Sequence, residues 1–169
     1  MLRTLARIFQ HRWQDKRSVH QALPPAGLHR LAQRVAASEA AHTGEIRIAV
    51  EAGLPLSYLR RHAPARERAI TLFGKLRVWD TEDNNGVLIY LLLADRAIEI
   101  VADRAISRAV PADFWPQTLA QLRPHLRQGD YENALALAID ATGAALTQHF
   151  PLSPGQTRSN ALPDKPVLL

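Results

Sequence analysis

Eight consecutive apolar residues, 87–94, stand between a polar loop, 80–86, and the dipeptide Asp95-Arg96. A run with no polar position over that length has no face to offer water, so it reads as a strand covered by a layer on each side. It falls far short of the roughly 20 apolar residues that a membrane-spanning helix requires. A second run, 97–102, begins two residues later, and this spacing permits a tight hairpin. Upstream, residues 45–51 alternate, with Ile46, Ile48 and Val50 on one face and Glu45, Arg47 and Ala49 on the other, the pattern of a half-buried strand. Between these strands, residues 61–79 carry Ala65, Ala69, Leu72, Phe73, Leu76 and Trp79 at helical spacing, enough for a crossover helix. Strand, helix, strand, hairpin, strand is the order of a small mixed β-sheet in an α/β fold, with helices on both faces.

Leu2, Leu5, Ile8, Phe9 and Trp13 recur at three- and four-residue steps with arginines between them. Residues 2–14 therefore read as an N-terminal amphipathic helix inside a basic arm, 1–24, and a polar stretch leads from it to Pro25. Leu28, Leu31, Val35 and Ala36 mark a helix over 25–42 that Thr43-Gly44 ends. After the sheet, Asp113 is placed to cap a helix with Trp115, Leu119, Leu122 and Leu126 inward, Pro124 to bend it and Gly129 to end it. Asp130 is placed to cap another, with Tyr131, Leu135, Ala138, Thr142 and Leu146 inward. Four prolines and no periodicity make 151–169 a disordered tail, which leaves 25–150 as the folded domain.

A chain that is 47% hydrophobic and 22% charged can bury a core. The absence of cysteine excludes a disulfide framework, a thiolate nucleophile and a cysteine-ligated metal centre. The net charge of +5 is unevenly spread. Residues 1–34 hold seven basic residues against one acidic, a net of +6, and the remainder is −1. Nucleic-acid binding through the basic arm ranks third among the function classes, because single-strand binders pair basic grooves with exposed aromatics and most aromatics here lie on inward faces. Arg3, Arg7 and Arg12 interrupt the apolar residues that a secretory leader keeps continuous, so the protein reads as cytoplasmic, peripheral to the inner membrane.

No phosphate-binding glycine loop, dinucleotide fingerprint, nucleophile elbow or paired-histidine zinc motif is present, and no histidine lies four residues from another. Candidate chemistry concentrates in the loop Asp80, Glu82, Asp83, Asn84, Asn85, Gly86. Side chains at 80, 82 and 84 resemble the opening of a calcium loop, but the glycine comes one residue late and Leu91 stands where a closing glutamate belongs, so this is not an EF-hand. An antiparallel hairpin brings Asp83, Asn84 and Asn85 towards Asp103 and Arg104, with Glu51 and Asp95 at the opposite sheet end. The loop is either a turn whose short polar side chains satisfy backbone groups, a divalent-cation site, or a direct contact for a partner or substrate.

Residues 42–51 (HTGEIRIAVE) and 78–106 (VWDTEDNNGVLIYLLLADRAIEIVADRAI) resemble the TPM domain family, in family order and over about 25–150. The resemblance implies an α/β sandwich with helices on both faces of a small sheet. In that family a plant thylakoid-lumen member is described as an acid phosphatase, some members bind calcium through acidic loops, and others are accessory proteins of membrane complexes. Bacterial members often accompany LemA-type membrane proteins. The chain departs from better-known members in lacking a leader and a membrane anchor, and in having Ala105 where a glycine is common. Matched to the acidic region, Asp80, Asp83, Asn84, Asn85 and Asp103 are the candidate ligands for weakly bound Ca2+ or Mg2+, and Arg104 is the candidate phosphate contact. The favoured function is an accessory module at the inner membrane surface, touching an anionic membrane or a LemA-type protein partner through Leu5, Arg7, Phe9, Arg12 and Trp13. A metal-dependent phosphatase built on loop 80–85 is the alternative, and no acid–base residue can be named for it.

Overall fold

Strand β2, Val87–Leu92, is the centre of the structure, and none of its six residues exposes any surface. The computed structural model describes residues 9, 11, 13, 16–153, 155 and 162–169. β1, Ile46–Glu51, runs parallel to β2 in the register Ile46↔Val87 to Glu51↔Leu92. β3, Ala97–Ala102, runs antiparallel on the other side, and β4, Val167–Leu168, lies parallel on the outer edge of β1, giving the order β3-β2-β1-β4.

Alternation along the strands sends two sets of side chains to two layers. Ile46, Ile48, Val50, Val87, Ile89, Leu91, Ile98 and Ile100 meet one helical layer. Its members are α1 (Lys16–Ala22), α2 (Pro25–Glu39), α5 (Arg104–Ala109), α6 (Phe114–Gln128) and α7 (Tyr131–His149), following the shared apolar core. Ala49, Leu88, Tyr90, Leu92 and Val101 meet the other layer, α3 (Leu56–Arg60) and α4 (Ala65–Lys75). Each large apolar side chain taken fully out of water contributes roughly 1.5–3 kcal/mol, so the two-faced apolar strand is what commits the chain to three layers.

Several sequence expectations change. Residues 16–22 are not a polar stretch but α1, whose Val19, with Leu23 just beyond, is fully buried. β1 is not half-buried: Glu45, Arg47 and Glu51 are all under a tenth exposed, because α4 and residues 162–169 cover that face and pair its charges. The helix read over 61–79 is shorter, α4 alone, set off from the unforeseen α3 before it by His62 (φ 56°) and Pro64, and Trp79 stays half exposed beyond α4. The β2–β3 connection takes four residues, 93–96, closed by the Arg96 amide on the Leu93 carbonyl at 3.0 Å. Residues 162–169, expected to be disordered with the rest of the tail, instead contribute β4, for which proline spacing gave no periodic signal. α5 was unforeseen; Asp103 caps it. Asp113 and Asp130 hold the N-cap positions of α6 and α7, but their side chains bond Gln117, and His125 with Asn133, rather than the helix amides.

Candidate functional site

The register that pairs Val87 with Ala102 sets Gly86 opposite Asp103, and the Asp103 amide donates to the Gly86 carbonyl at 2.9 Å. Asn84 adopts φ 52°, which turns its carbonyl to accept the Ala105 amide at 3.0 Å. The hairpin therefore brings loop and helix start together as the sequence implied. Asp83, exposed, accepts from the Thr43 hydroxyl at 2.8 Å. The Asn85 side-chain amide donates to the same hydroxyl at 3.0 Å, and the Thr81 hydroxyl accepts the Asn85 amide at 3.1 Å. Asp103 accepts the Arg104 amide on Oδ1 at 2.7 Å. Asn85 Oδ1 and Asp103 Oδ2 are buried and have no hydrogen-bond partner among the described residues. Each such acceptor costs about 1–3 kcal/mol unless something donates to it or binds it. Asp80 goes elsewhere, into an exposed 2.5 Å ion pair with Arg77, and the Arg104 side chain is exposed at the lip of the cluster.

The opposite sheet end holds charges whose partners the sequence pattern did not reveal. Glu51 is gripped by the Arg68 fork, with Nη2 at 2.7 Å and Nε at 2.9 Å, and accepts the Tyr90 hydroxyl at 2.6 Å. Burial, and then the Glu51 carboxylate, push the Tyr90 hydroxyl pKa well above the ordinary phenol value. Burial lowers the Arg68 pKa, but the hydrogen bonds and charge of Glu51 more than offset this and hold it above the usual value. Tyr90, the one side chain in the apolar run with a polar tip, was the only available signal for this triad. Buried His42 and half-buried Ser38, 3.2 Å apart, form a structural contact in the other layer, with His42 Nδ1 3.0 Å from the Gly44 carbonyl.

The TPM domain family profile matches residues 19–145. The chain belongs to the TPM domain family. Its TPM domain is similar to the NMR structure of the BA42 protein from the psychrophilic bacterium Bizionia argentinensis, at 26% identity and a TM-score of 0.74, over 86% of this chain and 94% of that one. No curated protein matches the chain.

The amphipathic stretch of the arm, 2–14, precedes the matched TPM domain segment, and its residues 9, 11 and 13 are described. His11 is buried against the domain: its Nδ1 accepts the Leu54 amide at 3.0 Å, and its Nε2, carrying the ring proton, meets Asp95 Oδ1 at 2.9 Å. The His11 carbonyl passes so close to Gly53 that a side chain at that position would collide with it. Phe9 and Trp13, one helical turn apart, lie on the other side, 63% and 74% exposed, with ring centroids 4.8 Å apart. Leu5, Arg7 and Arg12, the other expected contacts of the arm, lie outside the described residues. No helix among the described residues is long and apolar enough to cross a membrane.

Proposed function

We propose that this TPM domain is a non-catalytic accessory module that works at the inner face of a membrane beside a membrane-protein partner, with the arm as its contact surface. One observation carries the reading: His11 holds the arm to the domain while Phe9 and Trp13, two of the arm's large apolar side chains, face solvent. Arginines between these apolar residues suit an anionic interface, each basic residue adding about 1 kcal/mol near such a surface. Replacing Phe9 and Trp13 together by serine in the full chain is expected to cut co-sedimentation with phosphatidylserine-containing vesicles at least about tenfold, since two large apolar groups are lost from the contact. Folding should be unaffected, because both side chains are exposed. Equal sedimentation of the variant and the parent would remove the arm from the function.

The orphaned Asn85 Oδ1 and Asp103 Oδ2 favour a second reading, a divalent-cation site at the opposite sheet end. Two oxygen acceptors beside the exposed Asp83 carboxylate and Asn84 amide fit a hard cation such as Ca2+ or Mg2+. Among the described residues no three His, Cys, Asp or Glu side chains cluster, so ligation would draw on asparagine oxygens and few charges, which sets affinity nearer the roughly millimolar class. When bound, the cation would polarise a phosphate ester that Arg104 could meet. Calorimetric titration should give weak heats with calcium or magnesium that vanish in Asp83→Asn/Asp103→Asn. Asparagine still caps α5, so that variant should stay folded. Heats that survive the double change would move the site, and metal-dependent phosphate-ester turnover lost with these residues would replace the accessory reading with a phosphatase.

A further inference from the structure

Residues 162–169 are held on the outer edge of β1 largely through their main chain. The Arg47 guanidinium, on β1, donates from Nη1 to the Pro163 carbonyl and to the Lys165 carbonyl, the latter at 2.9 Å. Glu45 Oε2 accepts the Leu162 amide at 3.4 Å. Further along, β4 pairs Ala49↔Val167 and Val50↔Leu168, and the Leu169 amide donates to the Val50 carbonyl at 2.9 Å. Both charged side chains are buried, Glu45 2% and Arg47 8% exposed. Burial lowers the Arg47 pKa, with Asp164 opposing it. Side-chain identity enters at few points: Leu162 is in the core under α4, and Leu168 and Leu169 pack on opposite faces of the sheet.

Main-chain capture along a strand edge, with pockets for a few apolar side chains, is how sheets take up extended peptides. Carbonyl and amide groups are common to every sequence, so the Glu45–Arg47 clamp cannot tell this segment from another extended strand with apolar residues at the same places. The occupant also fits loosely. β4 is only two residues long, and beside Leu168 and Lys165 lies an open pocket of about 460 Å3, floored among the described residues by Leu28 and Ala32 of α2. A strand carrying a larger apolar residue at the Leu168 position would fill it, gaining buried surface that the resident segment leaves unused.

We propose that the β1 edge is a receptor for an extended, apolar-anchored peptide strand of a protein partner, added parallel to β1, and that residues 162–169 occupy it in cis. This goes beyond the arm reading, and its test does not involve Phe9 or Trp13, so either can fail alone.

The test uses the full chain with Leu162→Ser, which withdraws one apolar anchor of the cis segment and leaves the receptor intact, and a fluorescent peptide copying residues 162–169. The peptide should bind this variant at least about tenfold more tightly than the parent chain, because its competitor in cis is weakened. Adding Arg47→Met should reduce that binding by at least a similar factor, since a charge-assisted contact to two carbonyls is lost. In the parent, excess peptide should raise the exchange rate of the Leu169 amide, which shows displacement without any variant. Release of the segment with no peptide bound, or no displacement in the parent at any peptide concentration, would overturn the proposal. Formation of dimers by exchange of the segment between copies would overturn a separate partner.

Discussion

Arg68→Met is expected to destabilise the protein by about 3–5 kcal/mol, the range found when one member of a buried ion pair is removed and the other is stranded. Glu51 has a side chain only 5% exposed and lies under α4, where water cannot replace the two-pronged contact from Arg68. Its remaining strong partner, the Tyr90 hydroxyl at 2.6 Å, supplies one hydrogen bond and no charge. The double variant Arg68→Met/Glu51→Gln should recover much of the loss, because a neutral amide is far less costly to bury than an unpaired carboxylate. Tyr90→Phe should cost less than Arg68→Met, about 1–3 kcal/mol, since a charged partner loses one of several donors. Urea midpoints of the three variants at constant m-value measure this series. A loss below about 1 kcal/mol for Arg68→Met would mean that Glu51 reaches solvent, and the ordering of the series would fall with it.

What the sequence made legible follows the physics of the two faces of β2. A run with no polar side could only be a doubly covered strand, and it is. The hairpin then set Gly86 beside Asp103 by register alone, so the meeting of loop 83–85 with Asp103 and Arg104 was readable in the sequence. The failures share another cause. Glu45 and Arg47 were read on a wet face because charge predicts exposure on average, whereas here they have partners from a distant part of the chain, Leu162 and the carbonyls of Pro163 and Lys165, and Glu51 at the sheet end is likewise covered and paired by Arg68. Long-range pairing of this kind has no periodicity, and neither does β4, whose strand character comes from the edge it joins. His11 was hidden for the same reason, since its contacts to Leu54 and Asp95 are 43 and 84 residues away. Of the expected cation ligands, Asp83, Asn84, Asn85 and Asp103 are brought to one sheet end, while Asp80 is held by Arg77, three residues back along the same turn.

Gly86→Ala is expected to cost about 3 kcal/mol, at the upper end of overpacking losses, because nothing near it can yield cheaply. A methyl group there would be driven into the Val78 carbonyl, a backbone atom, with the Thr81 methyl 3.2 Å away. Val78 is fully buried, and its amide is tied to the Phe73 carbonyl at 3.0 Å, so the segment cannot swing outwards without opening the end of α4. The other route, moving Gly86 itself, breaks its carbonyl from the Asp103 amide and drags Asn85 from Thr43 and Thr81. Either way the damage falls on the sheet end that carries the orphaned acceptors. Amide exchange at Asp103 and Ala105 should therefore quicken more than the global loss of stability accounts for. Gly74→Ala is the matched control: that glycine sits inside α4 with open space where a methyl group would go, and alanine there should stabilise by roughly 0.5–1 kcal/mol through helix propensity alone. Similar midpoints for the two variants would show that the 78–81 crossing is loose, and would remove the steric reason for a glycine at the end of the acidic loop.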